Sequence, residues 1–227
     1  MKARKLGAAL TGIALAGILA GCGGTVVDSQ PAAGSPDVGD TAHIFKDLPL
    51  AGEALVPYNK DKSVQLRQQF ELLASEANSA QVQGEGCQDV LPGSFALANL
   101  HWPSLAATST TGKSSAQVFL APSDKDVATL LGTIRKQAAT CRNATVTFGS
   151  HVTKISVKPF AGSACPAGFT QTVTRSGKTQ SLDVCFTGKR NALLAVAVAD
   201  RAQHGMDETL AAYAEDFFVQ LGRIYLK

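Results

Sequence analysis

Five cysteines are the residues best placed to do chemistry in this 227-residue chain: Cys22, Cys87, Cys141, Cys165 and Cys185. Cys22 stands apart. It closes Leu19-Ala20-Gly21-Cys22, the pattern of the bacterial lipobox, in which the thiol is alkylated by a diacylglycerol and the chain is cut just before it. The preceding residues suit that chemistry. Lys2, Arg4 and Lys5 make a basic start, and an uncharged, mostly apolar run follows from Leu6 to Leu19. As a helix that run spans only about 21 Å, short of a hydrocarbon core of about 30 Å, so it reads as a secretory signal rather than a membrane span. Residues 1–21 are therefore expected to be a lipoprotein signal peptide and Cys22 the acylation site. Each buried CH₂ of the acyl chains contributes about 0.8 kcal/mol of membrane attachment. The expected partner is the membrane itself, at its outer face.

The other four cysteines form an even set in an exported chain, which reads as two disulfides. Four cysteines allow three pairings. Phe169–Arg175 and Lys178–Phe186 flank Ser176-Gly177, a two-residue hairpin signal. Folding that hairpin brings Cys185 opposite the start of the first strand, near Cys165. The favoured pairing is thus Cys165–Cys185, which leaves Cys87–Cys141. A metal site would want close pairs such as CxxC, and the sequence has none. No cofactor and no metal is expected.

Other reactive types fit catalytic templates poorly. Ala107–Ser114, ATSTTGKS, approximates a phosphate-binding loop, but the strand-like SAQVFLA follows where a helix N-terminus is required. There is no G-x-S-x-G elbow and no S-x-x-K. The four histidines, His43, His101, His151 and His204, are scattered. Asp124/Asp126 and Glu215/Asp216 have structural explanations at a helix start and on a polar helix face. Glu85 and Asp89 flank Cys87 in what reads as a turn. No catalytic residue is assigned.

Net charge excludes another class. The formal charge is +3, but without Lys2, Arg4 and Lys5 the balance is 18 basic against 18 acidic side chains. A neutral chain with 6% aromatics offers no overall pull on nucleic acid and few stacking platforms.

These residues need a scaffold. From Gly23 to about Asp40, Gly, Pro, Ser and Asp dominate, so residues 22–41 are expected to be a flexible tether and 42–227 a single domain. Within it, Ser63–Gln81 has helical spacing. Residues 94–120 read as strands. Ser123 caps a helix carrying Val127, Leu130, Leu131, Ile134 and Ala138 to about Thr140. Strands follow at 144–148 and 154–158, then the hairpin, then Ala192–Ala199, apolar on both faces. Asp207 opens a last helix with Leu210, Ala214, Phe217, Leu221 and Ile224 on one face. Strands in succession with interspersed helices indicate an α+β fold: an antiparallel sheet with packed helices, braced by two disulfides.

The ending carries a resemblance. Cys185-Phe186, Arg190-Asn191, the strand Ala192–Ala199, and Ala211, Ala214 and Glu215 in the last helix occur together with a lipobox and a wide and a narrow cysteine pair. In this combination the chain resembles exported mycobacterial lipoproteins related to the PknH-type extracellular sensor domain. The resemblance spans roughly residues 85–227. It agrees with the disulfide pairing and implies an antiparallel sheet with helices around a ligand-binding cleft, with no ligand residues set by motif. The expected function is a lipid-anchored envelope protein that binds an envelope ligand or protein partner and is not catalytic. The alternatives are an envelope hydrolase without a recognisable motif, or a structural or antigenic surface lipoprotein.

Overall fold

The computed structural model describes residues 38–59, 61–62, 80–87, 102–148, 150–160, 165–199 and 206–225. A 3₁₀ turn, Val38–Thr41, leads into a short helix α1, Ala42–Asp47. There follow β1 (Leu55–Pro57), β2 (Gln81–Gln83), β3 (Ser104–Ser109), β4 (Ser114–Leu120), helix α2 (Asp124–Thr140), β5 (Asn143–Phe148), β6 (His151–Pro159), β7 (Ala167–Arg175), β8 (Lys178–Lys189), β9 (Ala192–Ala199) and helix α3 (Met206–Tyr225). The nine strands form one sheet in the order β1-β3-β4-β9-β8-β7-β6-β5-β2, every neighbouring pair antiparallel. This is the expected α+β class. Of the expected helix at 63–81, residues 63–79 lie outside the described residues, and Gln81 opens β2.

Local rules account for the elements. Ser123 sits in extended backbone and its hydroxyl accepts from the Asp126 amide, capping α2 as its spacing predicts. Ser176-Gly177 joins β7 to β8, with both residues at positive φ (51° and 76°), the backbone of a tight two-residue hairpin. Arg190-Asn191 turns β8 into β9, and Asn191 donates its side-chain amide to the Ala121 carbonyl at the end of β4.

Strand β9 is central, and its alternation divides the core. Leu194, Val196 and Val198 face one side with Ala116 and Val118 of β4; there Leu210, Tyr213, Ala214, Phe217, Phe218 and Leu221 of α3 cover them, joined by Ile44 and Phe45 of α1. Leu193, Ala195 and Ala197 face the other side with Leu182, Val184 and Phe186 of β8, under Val127, Ile134 and Ala138 of α2. A strand that is apolar on both faces needs cover on both, and α2 and α3 supply it. The last helix therefore belongs to the core, as its apolar stripe predicts.

The α2 layer sits so close to the sheet that one position beneath it has no room for a side chain. A Cβ at Gly188 of β8 would overlap Cγ1 of Val127 and press on Leu131. Val127 is buried and its branched side chain has little rotamer freedom. Gly188→Ala is expected to cost about 1–3 kcal/mol through overpacking. Urea melts check this; a change indistinguishable from zero would contradict the close approach.

Candidate functional site

Two of the sequence-derived site assignments form as expected. Cys87 pairs with Cys141 and Cys165 with Cys185, at Cα separations of 4.7 and 5.7 Å, and all four are buried. The wide bridge joins the turn after β2 to the C-cap of α2. Gly86 permits the approach: it has φ +66°, and a Cβ there would run into the Thr140 side chain. The narrow bridge lies beside the first strand of the hairpin, where Cys185 is opposite Gly168, three residues after Cys165. Intact disulfides of this kind belong to exported proteins. Cys22 lies outside the described residues.

The reactive types do not converge. The phosphate-loop approximation, Ala107–Ser114, is the β3–β4 hairpin, and a strand rather than a helix follows it. Its hydroxyls turn onto one carboxylate: Thr111 donates to Glu53 at 2.7 Å, Ser114 donates to the other Glu53 oxygen, and Ser109 shares a hydrogen bond with Thr111. The cluster ties the turn at residues 50–53 to the hairpin. His43 is exposed on α1, His151 opens β6, and His101 and His204 lie outside the described residues. Asp124 and Asp126 occupy the first turn of α2, and Ser123 donates to the Asp126 carboxylate at 2.7 Å. Glu215 and Asp216 are exposed on α3, and Glu85 is exposed in the turn beside Cys87. Among the described residues no group of three or more His, Cys, Asp or Glu is arranged to hold a metal ion.

The distinctive surface comes from the sheet itself. Helix α3 contacts β8 and β9. On the same face, the strands beyond it present polar side chains. Register places Thr170, Thr172 and Thr174 of β7 opposite Asp183, Ser181 and Thr179 of β8. Each pair is hydrogen-bonded across the strands, at 2.6, 3.0 and 3.0 Å. Next in the sheet, β6 aligns Lys158, Ser156 and Lys154 with those threonines, and all three β6 side chains are exposed. Asn143 and Thr145 of β5 oppose Ser156 and Lys154, and Gln83 of β2 opposes Thr145. Val82, Val146, Ile155 and Val157 take the alternate positions and turn toward the α2 side. The result is a polar plane five strands wide, about 19 Å across at about 4.8 Å per strand. Its described residues are hydroxyls, amides and two lysines, with one carboxyl, Asp183, and one exposed large apolar side chain, Val152. At one end, Phe160 and the Cys165–Cys185 bridge pack into the core under α3 and bound the plane.

Asp183 is the electrostatic exception. It lies at the border with α3, half buried. Burial pushes its carboxyl up, the Thr170 hydrogen bond pulls it partly back, and the charge of Asp207 in the first turn of α3 pushes it up again. A carboxyl raised on folding binds its proton more tightly in the folded than in the unfolded chain. Its charge therefore disfavours the fold above the raised pKa, and the penalty is gone below the ordinary carboxylate range. Asp183→Asn keeps an acceptor for Thr170 and removes the charge. Melting curves should show the variant more stable near pH 7 and level with the parent near pH 3, below the unfolded pKa. A variant less stable at neutral pH would contradict this.

Neither the motifs nor the composition pointed to this plane. A signal was present in the period-two recurrence of Thr170, Thr172 and Thr174 and of Lys154, Ser156 and Lys158. Alternation alone says that one face is polar; the strand order says that α3 leaves it open.

No protein-family profile matches the chain, and no curated protein is similar to it in sequence. Among solved structures, the extracellular domain of PknH from Mycobacterium tuberculosis is similar over 63% of this chain and 78% of that one, at 15% identity and a TM-score of 0.45. CalU16 from Micromonospora echinospora is similar over 54% of this chain and 76% of its own, at 9% identity and a TM-score of 0.26.

Proposed function

We propose that this is a lipid-anchored protein of the cell envelope whose domain binds a ligand or partner and catalyses nothing. The anchor is Cys22, at the end of a signal segment. The stretch from there to Val38, the first described residue, can reach about 50 Å if extended. The carrying observation is the plane of β5–β8, which no described element covers. The rest of this face is sealed by α1 and α3, whereas here Lys154, Ser156 and Lys158 stand exposed on a rigid, doubly disulfide-bridged sheet. A fixed array of hydrogen-bonding groups on regular strands suits recognition. The hydroxyls of Thr172 and Ser181, and of Thr174 and Thr179, bond to one another across the strands, while Thr170 donates to the Asp183 carboxylate.

Two measurements test the reading. Cys22→Ala should leave uncleaved precursor and abolish lipid labelling; normal maturation with unchanged detergent-phase partitioning would reject the anchor. Protein purified from its native envelope without denaturation should release non-covalently held material on unfolding, identified by mass spectrometry. Recovery of the bare protein, repeated after gentle extraction, would reject the binding role.

A further inference from the structure

We propose that the open plane is a track for an extended anionic polymer of hydroxylated units, its acid groups held by Lys154 and Lys158. This rests on the binding reading above and names the ligand class.

The two lysines lie on one strand, point to the same side and are exposed. Four residues of strand put them about 13 Å apart. Ser156 lies between them, and hydroxyls or amides flank it on both sides: Thr172 on β7 and Asn143 on β5. Two fixed cations along a line of hydrogen-bonding groups match a chain whose acids recur along its length. The described carboxyl on the plane, Asp183, is two strands away from β6. It accepts from Thr170 on β7, the strand between β8 and β6. Among its described residues the plane thus carries two cations, both on β6, against one carboxyl on β8, although the chain without its signal segment is neutral.

Composition and area select the occupant. A protein partner or a second copy of this chain needs an apolar centre and about 800 Å² per side. The plane measures about 19 Å by about 17 Å, well under half of that, and among its described residues Val152 is the one exposed large apolar side chain. Nucleic-acid bases bind by stacking on aromatic faces, and the described residues of the plane include none. A linear polyanion needs neither: charge-assisted contacts at intervals, with hydroxyls between, are sufficient. The described residues next to the tether also lie away from the plane. The residues that enter from the tether, Val38–Thr41, pack on β3 and β4, and β6 is four strands away from β4, about 19 Å.

The test is affinity electrophoresis of the purified full-length chain through gels carrying poly(glycerol phosphate), polygalacturonate or neutral dextran. The comparison sets Lys154→Glu/Lys158→Glu against Lys125→Glu/Lys136→Glu, which makes the same charge change at exposed positions of α2 on the other side of the sheet. Matching thermal melts establish that both variants are folded. The parent should be retarded by at least one polyanion and not by dextran, and the choice between phosphate and carboxylate polymer identifies the acid. The β6 variant should bind at least about tenfold more weakly and the α2 variant within about twofold, as expected if two charge-assisted contacts are lost only from the former. Equal loss in the two variants, equal retardation by dextran, or no retardation by either polyanion would overturn the proposal. If native preparations still release a neutral or proteinaceous ligand, this inference falls and the binding role stands.

Discussion

Phe217→Ala is expected to lower the unfolding free energy by about 3–5 kcal/mol, the range for deleting a buried aromatic ring. Phe217 is fully buried at the centre of α3. Its ring centroid lies 5.1 Å from Phe45 of α1, 6.5 Å from Tyr213 and 6.0 Å from Phe218. It is thus the contact through which α1 and α3 seal the same face of β9 and β4. Removing it opens a cavity between rigid elements that cannot collapse freely. The alternative for an amphipathic C-terminal helix is a membrane surface, where the same change weakens lipid binding and leaves the melt in place. Urea denaturation decides: a loss of less than about 1 kcal/mol would remove α3 from the core.

Breaking the disulfides gives the second large effect. In the loop-entropy account, a bridge closing 54 residues contributes about 4 kcal/mol and one closing 20 about 3. Cys87→Ala/Cys141→Ala should therefore destabilise more through the unfolded chain. Cys165→Ala/Cys185→Ala removes less entropy but empties sulfur volume from the core under α3, where both residues pack. Their combined loss approaches the whole stability of a typical domain, so the four-alanine chain is expected not to fold. Non-reducing peptide maps should contain only the 87–141 and 165–185 linked peptides. A Cys87–Cys165 peptide, or free thiols in material taken from the envelope, would contradict both the pairing and the exported address.

The elements legible in the sequence are those whose signal is local. Ser123 with Asp126 three residues on, followed by Val127, Leu130, Leu131 and Ile134, specifies a capped amphipathic helix by itself, and α2 runs where that pattern runs. Ser176-Gly177 specifies a hairpin, and the hairpin brings Cys185 near Cys165. Ala192–Ala199, apolar at every position, had to be a strand covered on both sides. What escaped depends on distant partners. Strands β1 and β2 have three residues each, too few to display a period, and they exist because the edges of β3 and β5 pair with them. Helix α1 is six residues long and is held by Ile44 and Phe45 packing against α3, not by propensity. The candidate site escaped for the same reason. The threonines of β7 and lysines of β6 show a polar face, but how far α3 reaches across the sheet follows from strand order, which periodicity does not encode.

On the reading proposed above, the plane of β5–β8, which no described element covers, is where this protein meets its ligand in the envelope. A photo-crosslinking amino acid at Ser156, midway between Lys154 and Lys158, tests it in intact cells, with the same probe at Lys136 on the exposed side of α2 as the reference. Irradiation should add discrete mass to the Ser156 protein and none to the Lys136 protein, and Lys154→Glu/Lys158→Glu in the Ser156 background should abolish the adduct. Equal adducts from the two sites, or none from Ser156 while the protein remains folded and anchored, would contradict it.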